Sequence, residues 1–494
     1  MAVDPRTPVI IGVGQFLNRV DDGAEPLEPT RLMTEALRAA EADAGVPGVA
    51  ARAQVVGVVP VVSWRYRDPG RLVAAELGAT GPATWYPSMG GNTPQMLVNR
   101  LAAEISAGRV DLGVVVGGEA YRSRVAAKRA ERPLDWTKQG ADAVPDWHEG
   151  DDFVLGHPAE AARGILLPTQ AYPLFENALR HASGRTLDEH LAVIGGMWAG
   201  FSRVAAANPF AWRRDSYTAE EITTPTAENR MVGFPYTKRM VSNPDVDMAA
   251  GCIVCSVEQA RALGVARDRW VFPLAGTDGK DRIMSERPGF TGSPAIGVAG
   301  NRALALAGVG IDDVAHLDVY SCFPSAVQLA AGELGIGLGR QLTVYGGLCF
   351  AGGPWNNPVG HAIAAMVGVL REDPGSVGLV TANGGNVEKH AFGLYSTEPP
   401  TGGFRAERPQ DEIDACGGRQ VSEDHQGPVT VEAWTVMHER DGGMARAHAA
   451  CLTDEGLRVW GVTDDPDTMK RFETDDVAGC PATIGADGDL RLAG

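Results

Sequence analysis

No segment of the chain is apolar for long enough to cross a membrane, and the N-terminal stretch MAVDPRTPVIIGVGQ has an early acid and no extended apolar region. A cytoplasmic protein is expected. Cysteine is scarce: seven in 494 residues make no disulfide framework. Cys252 and Cys255 form a C-x-x-C within MAAGCIVCSVEQARALG, but no second pair of ligands follows at zinc spacing. That segment reads as a buried strand running into a helix, its cysteines as packing, and no metal site is expected. Basic residues fall short of acidic ones, 44 against 62, and the net charge of −18 repels phosphate backbones. Nucleic acid is therefore not an expected partner, whereas a phosphorylated small ligand held by a helix terminus or a few Arg side chains stays open. Gly12-x-Gly14 lacks the third glycine of a dinucleotide fingerprint, because Leu17 stands there.

Glycine is plentiful instead. The 62 glycines and 32 prolines have no collagen-like period and sit between apolar segments, as turn residues of an α/β protein do. The length implies two or three domains. Pro8 to Val13 reads as a strand, Thr30 to Gly45 as an amphipathic helix with a glycine stop, and Gln54 to Val62 as a buried strand. Strands alternating with helices imply mostly parallel pairing.

A faint internal repeat organises the rest. One copy has a helix ending at Gly78, a strand near Thr84 to Tyr86, a Gly90-Gly91 loop, a helix from Pro94 to Gly108, and a strand from Leu112 into Gly117-Gly118. The other has a helix ending at Gly335, a strand near Leu342 to Tyr345, a Gly352-Gly353 loop, a helix from Val359 to Leu370, and a strand from Val377 into Asn383-Gly384-Gly385. Two copies of one unit suggest two similar halves, each with a glycine loop at a helix N-terminus, where free N–H groups favour negative charge. The expected division is 1–121 and 244–396 for the halves, with 122–243 as an inserted cap containing helices over Leu174–His181 and Leu187–Ala207. Residues 397–427 read as a linker or surface wrap. Residues 428–494 show short alternating runs between hairpin turns and are expected to form a small antiparallel β-barrel. Their thirteen acids against six Lys and Arg have the wrong sign for an oligonucleotide-binding role.

These features resemble the thiolase superfamily over roughly Thr7 to Thr397, most clearly in SMGGNTPQMLVNRLAAEISAGRVDLGVVVGGE and from Gly300 to Gly385. The branch is that of sterol-carrier-type thiolases and thiolase-like proteins of type 1 with an additional C-terminal domain. The resemblance implies a duplicated, layered αβαβα fold and Claisen chemistry on 3-ketoacyl-CoA through four short motifs. At each motif the catalytic group is missing. The nucleophilic Cys position falls on Gly91, at the start of a helix begun by Asn92, Thr93 and Pro94. Tyr320 leads Tyr320-Ser321-Cys322-Phe323, where N-E-A-F or H-D-C-F would position an oxyanion-hole water. Gly353 replaces the His of G-H-P, and Thr381 replaces the second Cys. A Thr hydroxyl cannot exchange protons near neutral pH as a thiol can.

The expected protein thus keeps a thioester-shaped pocket without ordinary thiolase activity. Its ligand-binding residues would be Gly90, Gly91, Asn92, Gly352, Gly353, Asn383 and Gly384. CoA or acyl-CoA would be a passing ligand, with no permanently bound cofactor, and both monomer and homodimer stay open. The rival expectation is a working acetyl-CoA acetyltransferase with Cys349 as nucleophile and His361 as base. Against it, Cys349 reads as strand packing and His361 as a first-turn helix His with a backbone partner. His390, in Glu388-Lys389-His390, belongs either to a new site or to a solvated turn. A third expectation makes the acidic C-terminal module a contact surface for a partner.

Overall fold

The protein is described from a computed structural model that covers residues 3–150 and 156–493. Two five-stranded sheets form its centre. In the first, Pro8–Leu17 runs antiparallel to Asp247–Ser256, which runs antiparallel to Leu112–Ala120. Val55–Val58 and Ala83–Trp85 follow in parallel. The second sheet repeats the sequence of senses with Phe272–Lys280, Lys389–Ser396, Val377–Gly384 and His316–Asp318. The repeat read from the glycine loops is therefore a repeat of sheet topology.

Two helices fill the space between the sheets. Thr93–Ser106, the first central helix, touches strands of both sheets, and so does Pro358–Glu372, the second. Pro29–Ala44 covers the outer face of the first sheet, and Asn301–Ala307 that of the second. Five layers result. A central helix is buried on several sides, so it buries polar residues as well as its apolar stripe. Asn99 answers that burial by donating to the carbonyls of Thr277 (3.3 Å) and Phe392 (3.1 Å) in the second sheet. Gly12 and Gly14 belong to packing: a Cβ on Gly14 would stand 2.0 Å from the carbonyl of Ala36 on the outer helix.

Three sequence expectations change. Asp247–Ser256 falls within 244–396, yet it is bonded inside the first sheet, because its partners are the N-terminal strands on either side. Leu342 to Tyr345 is not a strand. The Asp318 carboxylate accepts the N–H groups of Val344 and Tyr345 (both 3.0 Å) and the Thr343 hydroxyl (2.8 Å), satisfying backbone that a ladder would otherwise serve. Within 397–427, Arg405–Glu407 adds an edge strand to Phe272–Lys280, and the helix Gln410–Ala415 packs against the same strand.

The insertion carries the helices Pro168–Ser183 and Leu187–Ala207, the second opened by a capping box between Thr186 and Glu189. Residues 151–155 of the insertion lie outside the described residues. A buried network ties the two helices to the core. Glu176 accepts from Tyr236 and Gln328 and meets His190 at 2.5 Å, while Tyr236 also reaches Ser325. Another part of the insertion closes a sheet edge. Tyr86 N–H donates to the Trp147 carbonyl and Trp147 N–H to the Thr84 carbonyl, so the outer strand Ala83–Trp85 is covered by its own chain.

At the C-terminus, Gly427–His438, Met444–Leu452, Arg458–Thr463, Pro481–Ile484 and Leu490–Leu492 form an antiparallel sheet, extended by Met231–Gly233 and Tyr236–Thr237 of the insertion. The closed barrel expected there is not found. The two outer strands share no ladder, and among the described residues one bridge, Val462 to Asp489, joins their ends. Among the described residues the final strand, three residues long, makes its ladder with Pro481–Ile484 only. The sheet is held tightly to the core. The fully buried Arg458 pairs with Glu432 and donates to the carbonyls of Met284, Ser285 and Arg287.

Candidate functional site

The N-terminus of the first central helix gathers most of the residues singled out in the sequence. Gly90 accepts the N–H of Thr93, which starts the helix, with proline in its first turn. Asn92 does not cap it. The side chain makes no capping bond, and its Oδ1 is buried without a partner. That oxygen lies against the second half, because a Cβ on Gly384 would meet it at 2.7 Å.

Gly91 is hemmed in by the same strand. A Cβ there would stand 2.4 Å from the carbonyl of Asn383 and 2.5 Å from the hydroxyl oxygen of Tyr320. No heavy-atom side chain fits. The phenol occupies the space into which a side chain at 91 would project, and the backbone of Tyr320 is fixed by donating to the Thr381 hydroxyl at 2.9 Å. Gly90, Gly91, Asn92, Tyr320, Thr381, Asn383 and Gly384 therefore form one cluster.

A wall missed in the sequence completes it. Tyr172, from the inserted helix, accepts from the Asn383 amide (3.0 Å) and donates to the Gly385 carbonyl (3.0 Å). Its ring stacks on Phe323 at 4.4 Å, and Phe323 stacks in turn near Tyr236. The stretch AYPLFENA gave Tyr172 no mark beyond amphipathicity, so only the docking of the insertion identifies it.

The phenols and the thiol at the cluster carry no charge near neutral pH, and the Lys389 ammonium at its edge donates to the Met89 carbonyl at 2.9 Å. Burial drives Tyr320 and Tyr172 well above the ordinary phenol range, with nearby Cys322 adding to both. Burial also pushes the Cys322 thiol up to about 12. The site consists of neutral hydrogen-bond donors and acceptors: phenols, amides, a hydroxyl and backbone. Such a set can orient and polarise a carbonyl, but it supplies no thiolate.

The second glycine loop does not join this cluster. A Cβ on Gly353 would meet the Ser242 hydroxyl at 2.2 Å, and one on Gly352 would meet the Met248 sulfur at 2.7 Å. Gly353, which the resemblance puts in place of the His of G-H-P, is thus packed against the insertion's end. The following residues act as ties. Asn356 donates to the Pro60 carbonyl (2.9 Å) and Asn357 to the Gly117 carbonyl (2.6 Å), joining the second half to strand ends of the first.

Of the three rescue candidates, His361 and Cys349 lie elsewhere, whereas His390 is the cross-strand partner of Asn383. His361 is fully buried, stacks on Tyr345 at 5.6 Å, and meets the side chain of Gln15 at 2.7 Å rather than a backbone group. Burial lowers its pKa to about 3, which leaves a poor base. The Cys349 thiol donates to the Arg239 carbonyl, and burial raises it to about 12. Its hydrogen bond goes to Arg239 and that of His361 to Gln15, so neither serves the other. Cys349 also belongs to a π-helical turn, Gly347–Ala351, instead of a strand. His390 is buried beside the Val387 carbonyl and falls to about 4, chiefly through burial, although Asp281 lies 3.8 Å away. Glu388 is equally buried, so the solvated-turn reading of that segment fails.

The cysteines of the C-x-x-C are buried in Asp247–Ser256, and no cluster of metal-ligating side chains occurs among the described residues. No helix is long and apolar enough to cross a membrane.

Comparison with known proteins places this geometry. Residues 409–489 match the thiolase-like protein type 1 additional C-terminal domain. No curated protein matches the chain significantly. Among solved structures, the chain is similar to a monomeric SCP2-thiolase like protein type 1 from Mycobacterium smegmatis, with 31% identity, a TM-score of 0.84 and all of both chains covered. The Ltp2-ChsH2(DUF35) aldolase matches 80% of this chain and 99% of its own, with 21% identity and a TM-score of 0.61. An acetyl-CoA acetyltransferase from Syntrophomonas wolfei matches 80% of this chain and all of its own, with 14% identity and a TM-score of 0.55. The last two show the shared fold alone. The chain belongs to the SCP2-thiolase-like protein type 1 family.

Proposed function

We propose that this protein binds an acyl-CoA or a related thioester in the cluster around Gly91 and Tyr320 without ordinary thiolase activity. The observation that carries this reading is the mutual exclusion of a side chain at 91 and the phenol of Tyr320. A thioester carbonyl needs donors, and the Tyr320 hydroxyl, kept neutral, is one. Thiolysis needs more: a thiolate to take the acyl group and a second acid–base group at the α-carbon. Thr381 offers only a hydroxyl, already engaged with the Tyr320 backbone. The test is an assay of acetoacetyl-CoA cleavage by CoA alongside equilibrium binding of acetyl-CoA. Binding without cleavage supports the reading, and robust cleavage refutes it.

The acetyltransferase alternative would require Cys349 and His361 to act together. A thiol near 12 donating to a backbone carbonyl, and an imidazole near 3 held by Gln15, speak against both. The proposed protein is a cytoplasmic monomer, a state supported by the covered edge of Ala83–Trp85 and found in the Mycobacterium smegmatis relative. The C-terminal sheet, curled so that one bridge links its outer strands, is read as an incomplete barrel of structural or partner-binding use.

A further inference from the structure

We propose that the cleft beside the Gly90-Gly91 loop holds the phosphates of a nucleotide-bearing small molecule. The cleft encloses about 890 Å³ and is walled by residues 60–67, by the approach to the first central helix at 86–89, and by the insertion. Four cations line it: Arg65, Arg67, Arg124 and Lys138. In a chain of net charge −18 such a concentration of one sign stands against the general field.

The carboxylates nearby are committed elsewhere. Glu119 accepts the N–H groups of Val62 and Ser63, both at 2.7 Å. Asp68 and Asp146 pair with Arg71 and the Thr84 hydroxyl. Glu28 accepts from Tyr66 and Thr137. Among the described residues no carboxylate lines the cleft, although the Arg124 charge acts on the buried Glu119 carboxyl. Arg124 donates to the Val62 carbonyl at 3.0 Å, which holds its guanidinium at the wall. A guanidinium fork matches phosphate oxygens two at a time, so two or three such forks suit a diphosphate.

A flat apolar wall lies beside the charges. Trp64 is fixed by its indole N–H on the Thr137 carbonyl (2.8 Å) and by an edge contact with Trp136 at 5.2 Å. A ring immobilised in this way offers a face for a base at little entropic cost. The inner end of the cleft is formed by Ser88 and Met89, directly before Gly90. A ligand with its phosphates among the arginines would send its remaining chain toward the Gly91 cluster. The inference rests on the thioester reading for that direction only.

The test uses the full chain and four probes in titration calorimetry: ADP, inorganic pyrophosphate, a single-stranded oligonucleotide, and S-acetyl-pantetheine, which carries the thioester and no phosphate. ADP and pyrophosphate are expected to bind, and to weaken as salt rises from ~50 to ~300 mM. Arg65→Gln with Arg67→Gln is expected to weaken ADP by about tenfold or more and to leave S-acetyl-pantetheine unchanged. Both side chains are exposed, and an unaltered melting temperature of the double variant confirms its fold. Failure of ADP to bind, or equal binding by the double variant, overturns the cleft assignment. A single-stranded oligonucleotide that binds more tightly than ADP overturns the small-ligand class. If ADP binds as expected and S-acetyl-pantetheine does not, the cleft stands and the thioester reading falls.

Discussion

Gly91 and Tyr320 exclude each other: a Cβ on the glycine would lie 2.5 Å from the phenol oxygen and 3.0 Å from Cζ of the ring. A side chain at 91 and the phenol at 320 thus compete for one space. Gly91→Cys is therefore expected to destabilise the protein by roughly 1–3 kcal/mol, the usual cost of overpacking. Adding Tyr320→Gly should recover only part of that, because the Asn383 carbonyl, at 2.4 Å from the same Cβ, is backbone. A double-mutant cycle by chemical denaturation checks the coupling. Strict additivity would mean that the two residues do not compete for space.

Thiol chemistry follows from burial. Cys252, Cys255, Cys322, Cys349 and Cys451 are buried, Cys480 is partly buried and Cys416 is exposed. Iodoacetamide near pH 7.5 is expected to label Cys416 first and to spare Cys322 and Cys349, whose thiols lie near 12. Peptide mapping by mass spectrometry reads the outcome. Fast, ligand-protected labelling of Cys349 would restore the acetyltransferase reading.

Much of this was legible in the sequence where backbone punctuation carried it. Gly90-Gly91 before Pro94, and Gly352-Gly353 before the second central helix, mark helix entries that depend on local residue types. What stayed hidden was pairing over long separations. Nothing local assigns Asp247–Ser256 to a sheet whose other strands end by residue 120. Nor does anything local show that Asp318 would serve the backbone of 343–345, or that Tyr172 would reach Asn383. The cleft cations were invisible for the same reason, since Arg65, Arg67 and Lys138 sit in ordinary loop sequence and Arg124 in the separate helix Tyr121–Arg129.

Glu388 gives a pH signature. Burial, reinforced by Glu160, raises its pKa from 4.5 to about 7. The folded carboxyl holds its proton more tightly than the unfolded one, so this stabilisation is complete below the ordinary glutamate value and is lost as pH rises through about 7. Glu388→Gln, which cannot ionise, should gain relative to the wild type by roughly 3 kcal/mol between pH 4.5 and pH 8. Melting temperatures of the two proteins across that range decide the point, and a constant difference would contradict it.

The covered edge predicts the oligomeric state. Trp147 bridges Ala83–Trp85, and the Arg100 guanidinium lies over both tryptophan rings, 5.0 Å from Trp85 and 3.9 Å from Trp147. Trp147→Ala is expected to cost roughly 1–2 kcal/mol through the lost ring contacts and to loosen the cover of the strand. Light scattering after size-exclusion chromatography should find a monomer for the wild type and concentration-dependent association for the variant. A wild-type dimer would show that the edge is not closed in solution.

The central claim is tested most directly by titrating the protein with acetoacetyl-CoA in the presence of CoA and recording heat. The site described here predicts a saturable pulse with each injection that returns to baseline, the signature of binding without turnover. Heat that persists between injections and scales with protein concentration would show that the thioester is being cleaved, and would contradict it.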